Sequence, residues 1–245
     1  MHHKFTALIA LVSSSTLVMG CTTEEEVVDA EPVQFNINLE NISSEGDLVP
    51  SSGTPTNIMF APGILIIHDG DFSLFESGSP AKYAGFEAMV EDGSNAGLVD
   101  DLAGEPGVIE AISYAALDAS YADSPMLPGT KATKSIDAVP GDFITVATMF
   151  GESNDVFVAA LAIPLFDADG VALETDATGD LTLWDAGTEV NEEPGLGENQ
   201  APRQAAPGSG VDEDANVEQI TGTDAAGFSY PEPDAMLSLR ITVAE

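Results

Sequence analysis

The sequence predicts a mainly β protein, an antiparallel β-sandwich with one or two short helices inserted in the middle of the chain. Strand-like alternation of apolar and polar residues occurs near both ends, in residues 33–43 and 235–245. Helical spacing of apolar residues is confined to the middle, near residues 79–93. A hairpin signal, Asp169-Gly170, follows a long apolar run. Strands at both ends and helix only in the middle favour a single sandwich.

The first strand is predicted in VQFNINLENIS, residues 33–43, where every second residue from Val33 to Leu39 is apolar. A period of two is typical of a strand that buries one face. A second apolar run, TNIMFAPGILIIHDG, covers residues 56–70 and is interrupted by Pro62-Gly63 before the segment 64–67.

A helix is predicted after this run, with Ser79-Pro80 as its cap and first turn and Gly93 as its stop. Residues 95–104 predict one or two further helical turns. We interpret the apolar residues at helical spacing as a stripe that packs against the sheet: Tyr83, Phe86, Met89 and Val90.

Strands are predicted again in GDFITVATMF (141–150) and DVFVAALAIPLFD (155–167), and the last one in AMLSLRITVAE (235–245). Residues 195–216 are rich in Pro, Gly, Ala, Gln and Asn, which predicts a long loop.

The charge balance is extreme, because 42 Asp and Glu residues face only 6 Lys and Arg residues among 245. Binding to nucleic acid is excluded, since six cations cannot build the basic patch that phosphates require. The chain is 44% hydrophobic, so it can still bury a sizeable core. Two interpretations of the acid remain: a solvated surface suited to saline surroundings, or a minority of carboxylates that bind divalent cations.

The amino terminus predicts an export signal. A basic start with Lys4 precedes an apolar and small-residue stretch, residues 5–20, that is too short for a stable membrane span. It ends in Leu-Val-Met-Gly-Cys21, which resembles the bacterial lipobox and implies cleavage before Cys21 and lipidation of its thiol. The alternative is an ordinary signal peptide with a chance cysteine.

This assignment divides the chain into a lipoprotein signal peptide (1–20), an acidic tether (21–32) and a folded domain (33–245). Cys21 is the only cysteine, so no internal disulfide forms. Thr22 follows it where an inner-membrane retention signal has Asp. The predicted location is therefore the outer membrane of a Gram-negative cell, with the lipid on Cys21 as the membrane contact.

Two motifs resemble metal or catalytic sites but have simpler explanations. FDADG (166–170) resembles the start of a calcium loop, yet Thr178 stands where that loop requires Glu, so a hairpin turn explains it better. His68 is the only histidine beyond the signal, and one histidine does not build a zinc site. No Gly-x-Ser-x-Gly elbow accompanies it, which favours a structural or surface role.

A third pair of segments, ESNDVF (152–157) and LWDAGTE (183–189), carries oxygen ligands next to predicted strands. Calcium takes about 6–8 oxygens, and two loops at one end of a sandwich can supply them. Gly187 allows the chain to turn so that Asp185 and Glu189 face one point. Trp184 is expected to pack against the core and fix where this loop begins. The candidate metal ligands are Asp155, Asp185 and Glu189, with Asn154 beside them.

These segments resemble the spondin amino-terminal domain, found in animal matrix proteins and in secreted bacterial proteins. The similar pieces are FNINLENIS, TPTNIMFAPGILIIHD, PGDFITVATMFGESNDVFVA and LWDAGTEVNEEPG, in the family's order, over residues 33–245. The resemblance implies a β-sandwich similar to C2 domains with one bound Ca²⁺, held by Asp155, Asp185 and Glu189. Glu189 and Val156 depart from the family pattern, which has Asp and an aromatic residue there. The cysteines of animal members are missing, so their disulfides and matrix partners are not implied.

The first functional hypothesis is a lipid-anchored, calcium-binding module outside the cytoplasm that adheres to a polysaccharide or another surface protein, without enzymatic activity. One alternative is a structural spacer domain without a ligand. The other is a hydrolase of an envelope polymer that uses Asp185 and Glu189 for acid/base work. The single Trp184 argues against the hydrolase, because a glycan cleft usually carries several aromatic platforms.

Overall fold

The structure is a computed structural model that describes residues 30–115 and 124–244, and the fold is mainly β. Cys21, the signal peptide and the tether up to residue 29 lie outside the described residues. Within them the elements are β1 (Val33–Asn41), β2 (Gly63–His68), α1 (Ala84–Asp92), α2 (Ala96–Leu102), β3 (Val108–Tyr114), β4 (Lys131–Ala138), β5 (Phe143–Met149), β6 (Val156–Pro164), β7 (Thr175–Asp176), β8 (Thr182–Asp185), β9 (Glu218–Gln219), α3 (Pro233–Met236) and β10 (Leu237–Val243).

The strands form two antiparallel sheets, which confirms the predicted β-sandwich. The smaller sheet has the order β4-β1-β10-β7, and the larger has the order β3-β2-β5-β6-β8-β9. The first and last strands are neighbours, paired from Phe35↔Val243 to Asn41↔Leu237. The predicted alternation in β1 is present, because Phe35, Ile37 and Leu39 are buried between the sheets.

The larger sheet is covered on both faces, so its central strands are apolar throughout. One face meets the smaller sheet, and the other meets α1 and α2. Every residue of β2 is buried, which explains why GILIIH shows no alternation in the sequence. On the helix side, the ring of Phe157 meets that of Phe86 edge-on, with centroids 5.2 Å apart. The predicted packing stripe on α1 is therefore confirmed.

The helix stop was predicted correctly and its start was not. Gly93 adopts a left-handed φ of 68°, and its amide donates to the carbonyl of Met89 at 3.1 Å. The helix begins at Ala84 instead of Pro80, because the carbonyl of Ser79 is hydrogen-bonded outside the helix. This carbonyl accepts a hydrogen bond of 2.9 Å from the amide of Val217.

Two sites that resembled functional motifs have structural roles. His68 is fully buried, with Nε2 3.0 Å from Oγ1 of Thr145 and Nδ1 next to the carbonyl of Asp69. In the FDADG segment, Oδ1 of Asp167 accepts the amides of Asp169 and Val171 at 2.9 and 2.8 Å. These bonds build the predicted hairpin turn.

One side of the sandwich is bordered by the long edge strands β3 and β4. Lys134 in β4 lies opposite Ile37, and it is half-buried on the inward face among apolar side chains.

Across residues 30–115 and 124–244, no helix is long and apolar enough to cross a bilayer.

Candidate functional site

The β5–β6 turn, residues 150–156, positions Asp155 at one end of the larger sheet. The hydroxyl of Ser153 donates to the carbonyl of Phe150 at 2.6 Å and accepts the amide of Val156 at 3.1 Å. The amide of Phe150 donates to the carbonyl of Val156 at 2.8 Å and closes the turn. Asp155 therefore occupies a fixed place immediately before β6.

The register of the next strand brings the second acidic segment to this end. Val156 lies opposite Asp185, the last residue of β8, and the amide of Ala186 donates to the carbonyl of Asp155 at 3.3 Å. Trp184 packs against Phe75 with ring centroids 4.8 Å apart, and its Nε1 donates to Thr182. Trp184 thus fixes where the acidic loop begins, as the sequence predicts.

The carboxylate of Asp155 is fully buried, with 0% of the residue exposed. Its Oδ2 accepts the backbone amides of Thr188 and Glu189 at 2.7 and 3.1 Å, and the hydroxyl of Thr188 at 3.3 Å. Its Oδ1 is buried and has no hydrogen-bond partner. A buried oxygen without a donor is costly unless a proton or a cation reaches it.

Asp185 is 8% exposed and has donors on both oxygens. Oδ1 accepts the amide of Gly187 at 2.9 Å, and Oδ2 accepts Nδ2 of Asn191 at 2.6 Å. Gly187 has a left-handed φ of 67°, and a Cβ there would lie 2.7 Å from the carbonyl oxygen of Asn216. Only glycine fits this turn.

Glu189 is 2% exposed, and the hydrogen-bond partners of its carboxylate are Gly210 and Asn154. Oε1 accepts the amide of Gly210 at 2.9 Å, and Oε2 lies 3.5 Å from Nδ2 of Asn154. The structure therefore brings together the carboxylates of Asp155 and Asp185 with the backbone of Glu189. The carboxylate of Glu189 faces the 208–212 loop.

Burial dominates the electrostatics of the three candidate acids. Burial raises the pKa of Asp155 to about 7, the charge of Asp185 adds to this, and the hydrogen bonds from Glu189 and Thr188 oppose it. Burial likewise raises the pKa values of Asp185 and Glu189. The ion pairs between described residues involve none of these three acids.

Further contacts hold the β5–β6 turn against the acidic loop, residues 186–217. The amide of Glu192 donates to Oδ1 of Asn154 at 3.0 Å. The guanidinium of Arg203 forms an ion pair with the buried carboxylate of Glu152 at 2.7 Å and donates to the carbonyl of Gly197. Arg203 is thus the cation that ties the 192–204 segment to the turn that carries Asp155.

Sequence reasoning missed Asp224, a buried acid whose charge adds to the raised pKa of Asp185. Its Oδ1 accepts the amide of Phe228 at 2.8 Å, and its Oδ2 accepts the hydroxyl of Tyr230 at 3.1 Å. No sequence signal points to it, because it follows the Pro- and Gly-rich loop in an irregular segment.

The donor set suits a hard divalent cation in part. In the portion of the chain that the structure describes, no three His, Cys, Asp or Glu side chains are arranged to hold a metal ion as they stand. The unpartnered Oδ1 of Asp155 beside Asp185 does fit the oxygen chemistry that Ca²⁺ prefers. The assignment of Asp155, Asp185 and Glu189 as ligands stays a prediction.

Fold and site together define an antiparallel β-sandwich with buried acids where two loops meet at one end. Comparison of the chain with protein-family models and with curated proteins finds no match.

Proposed function

We propose that the protein is a lipid-anchored, calcium-binding module of the spondin amino-terminal type that binds a polysaccharide or protein partner outside the cytoplasm. The lipid on Cys21 would hold it to the outer membrane, and the folded domain would carry the binding loops. The observation that supports calcium most directly is the buried carboxylate of Asp155, whose Oδ1 has no donor and lies beside a second buried acid.

In this proposal Asp155 and Asp185 hold the ion directly, and Glu189 is the third predicted ligand. Bound calcium would offset the repulsion between the two Asp carboxylates. The amides of Thr188 and Glu189 hold Oδ2 of Asp155 and so orient Oδ1. Burial also supports a binding role over hydrolysis, since Asp185 and Glu189 expose little surface to a substrate.

Calcium is expected to raise the melting temperature of the purified protein, and Asp185→Asn is expected to abolish that increase. At a free concentration ten times Kd, a ligand of the folded state adds about 1.4 kcal/mol, or roughly 3–6 °C for a domain of this size. Calorimetric melting with titrated Ca²⁺, and with Mg²⁺ in parallel, measures the effect.

The matched control is Asp137→Asn, which removes a carboxylate from the exposed face of β4 and should keep the full calcium response. In chelator, Asp185→Asn should melt no lower than the unaltered protein, because a repulsive charge is gone. A melting temperature that does not respond to calcium in the unaltered protein would refute the calcium site.

Partner binding is expected to depend on calcium, because the ion would order the loops that contact the partner. Purified protein can be incubated with isolated envelope polysaccharides and immobilised surface proteins, with Ca²⁺ or with chelator. Retention of the protein on these surfaces that is lost in chelator and in Asp185→Asn supports the proposed calcium-dependent binding module. Equal retention in both conditions, or no retention on any of these surfaces, counts against it.

A further inference from the structure

Strand β9 places another carboxylate directly opposite Asp185. Its register pairs Trp184 with Gln219 and Asp185 with Glu218. Residues directly opposite in an antiparallel pair point to the same face, with Cβ atoms about 4.5–5.5 Å apart. Glu218 therefore shares a face with Asp185 and is close enough for its longer side chain to reach the same point.

This pairing is unfavourable unless a cation intervenes. Like charges directly opposite each other on two strands destabilise the pair. The ion pairs between described residues use neither Asp185 nor Glu218, so no Lys or Arg relieves the repulsion there. The charge of Glu218 also contributes to the raised pKa of Asp185.

A second observation points to a ligand at this place. Oδ1 of the fully buried Asp155 has no hydrogen-bond partner, and the neighbouring negative charge is that of Asp185. Glu218 is exposed, whereas Asp155 and Asp224, two other acids near Asp185, are buried. Asp224 is buried and already bound by Phe228 and Tyr230. An exposed glutamate is free to change rotamer.

We propose that Glu218 is a further ligand of the cation site, and that its carboxylate turns toward Asp185 when calcium binds. This inference rests on the proposed calcium site and extends it across the β8–β9 pair. Asp185 and Glu218 flank the long acidic loop, residues 186–217. A cation bound by both carboxylates would hold the two ends of that loop together. Calcium binding would therefore determine how rigid the loop is when it meets a partner.

The test is Glu218→Gln, followed by calcium titration calorimetry and by melting in chelator. We expect calcium affinity to fall about tenfold, since ligand charge sets calcium affinity. In chelator we expect a melting temperature about 1–3 °C higher, because the like-charge pair is gone. Glu110→Gln is the matched control: it removes an exposed glutamate from β3, the opposite edge of the same sheet.

Glu218→Asp separates ligation from simple charge. It keeps the negative charge but shortens the reach, so calcium affinity should fall without any gain of stability in chelator. Unchanged affinity in Glu218→Gln, with binding lost in Asp185→Asn, would overturn this inference and leave the calcium site standing. If the unaltered protein does not bind calcium, both the calcium site and the role of Glu218 are refuted.

Discussion

The melting temperature of the calcium-free protein is expected to rise as the pH is lowered from 8 to 5, by about 10 °C. Burial raises the pKa values of both Asp155 and Glu91 to about 7. An acid whose pKa is higher in the folded than in the unfolded protein binds more protons when folded. Lowering the pH from about 7 toward 4, the ordinary pKa of a carboxyl group, therefore stabilises the folded state. Above pH 7 both carboxylates are ionised, and the full cost of burying their charges destabilises the fold.

The size of the effect follows from the pKa values. For each group, lowering the pH by one unit between 7 and 5 raises the free energy of unfolding by up to about 1.4 kcal/mol. The two groups together give about 3–5 kcal/mol, because Glu91 is less deeply enclosed than Asp155 and solvent screening reduces its contribution. For a domain of this size, each kcal/mol corresponds to roughly 2–4 °C.

The measurement is calorimetric melting in chelator at pH 8, 7, 6 and 5. High salt is the necessary control, because it screens repulsion among the exposed acids but screens buried charges far less. Asp155→Asn should reduce the dependence by about half in both salt conditions, because Glu91 still titrates. A melting temperature that falls steadily from pH 8 to pH 5 would contradict the prediction. With saturating calcium the trend should weaken, since protons then compete with the ion.

Arg203→Met is expected to lower the free energy of unfolding by about 2–3 kcal/mol. The carboxylate of Glu152 is 2% exposed, and the side chain of Arg203 is 30% exposed. Breaking a buried ion pair leaves the remaining charge uncompensated, at a cost of about 3–5 kcal/mol, which we reduce because Arg203 is partly solvated. Burial already raises the pKa of Glu152 although Arg203 opposes it.

A double variant distinguishes lost charge compensation from lost packing. Arg203→Met with Glu152→Gln should recover more than half of the loss, because no charge then remains buried. Arg240→Met is the control, since its ion pair with Asp176 at 3.0 Å is solvent-exposed and should contribute little to stability. Urea unfolding measures the free energy of unfolding of the unaltered protein, the two single variants and the double variant. Equal effects of Arg203→Met and Arg240→Met would refute the role of the buried pair.

The sheets were predictable because the sequence shows the burial of their strands. Alternation reveals β1, and the continuous apolar run 64–67 reveals the fully buried β2. The meeting of Asp155 and Asp185 was predictable as well, because each lies next to a predicted strand. What joins them is the Val156↔Asp185 register, which depends on tertiary pairing.

Features that depend on distant contacts could not be predicted from the sequence. Gly210 lies 21 residues beyond Glu189 and determines where that carboxylate points. Val217 holds Ser79 in a non-helical conformation and so delays the start of α1. Strand β9 is only two residues long, and no alternation marks Glu218 as the partner of Asp185. In each case a residue far along the chain decides the outcome.

The position of Lys134 on the inward face of β4 has a consequence for molecules crowded together on a surface. An open strand edge invites a neighbouring chain to extend the sheet, which is how fibrous aggregates begin. A half-buried lysine on the inward face of an edge strand makes that growth unfavourable at β4. Copies at high density can therefore sit side by side as separate molecules.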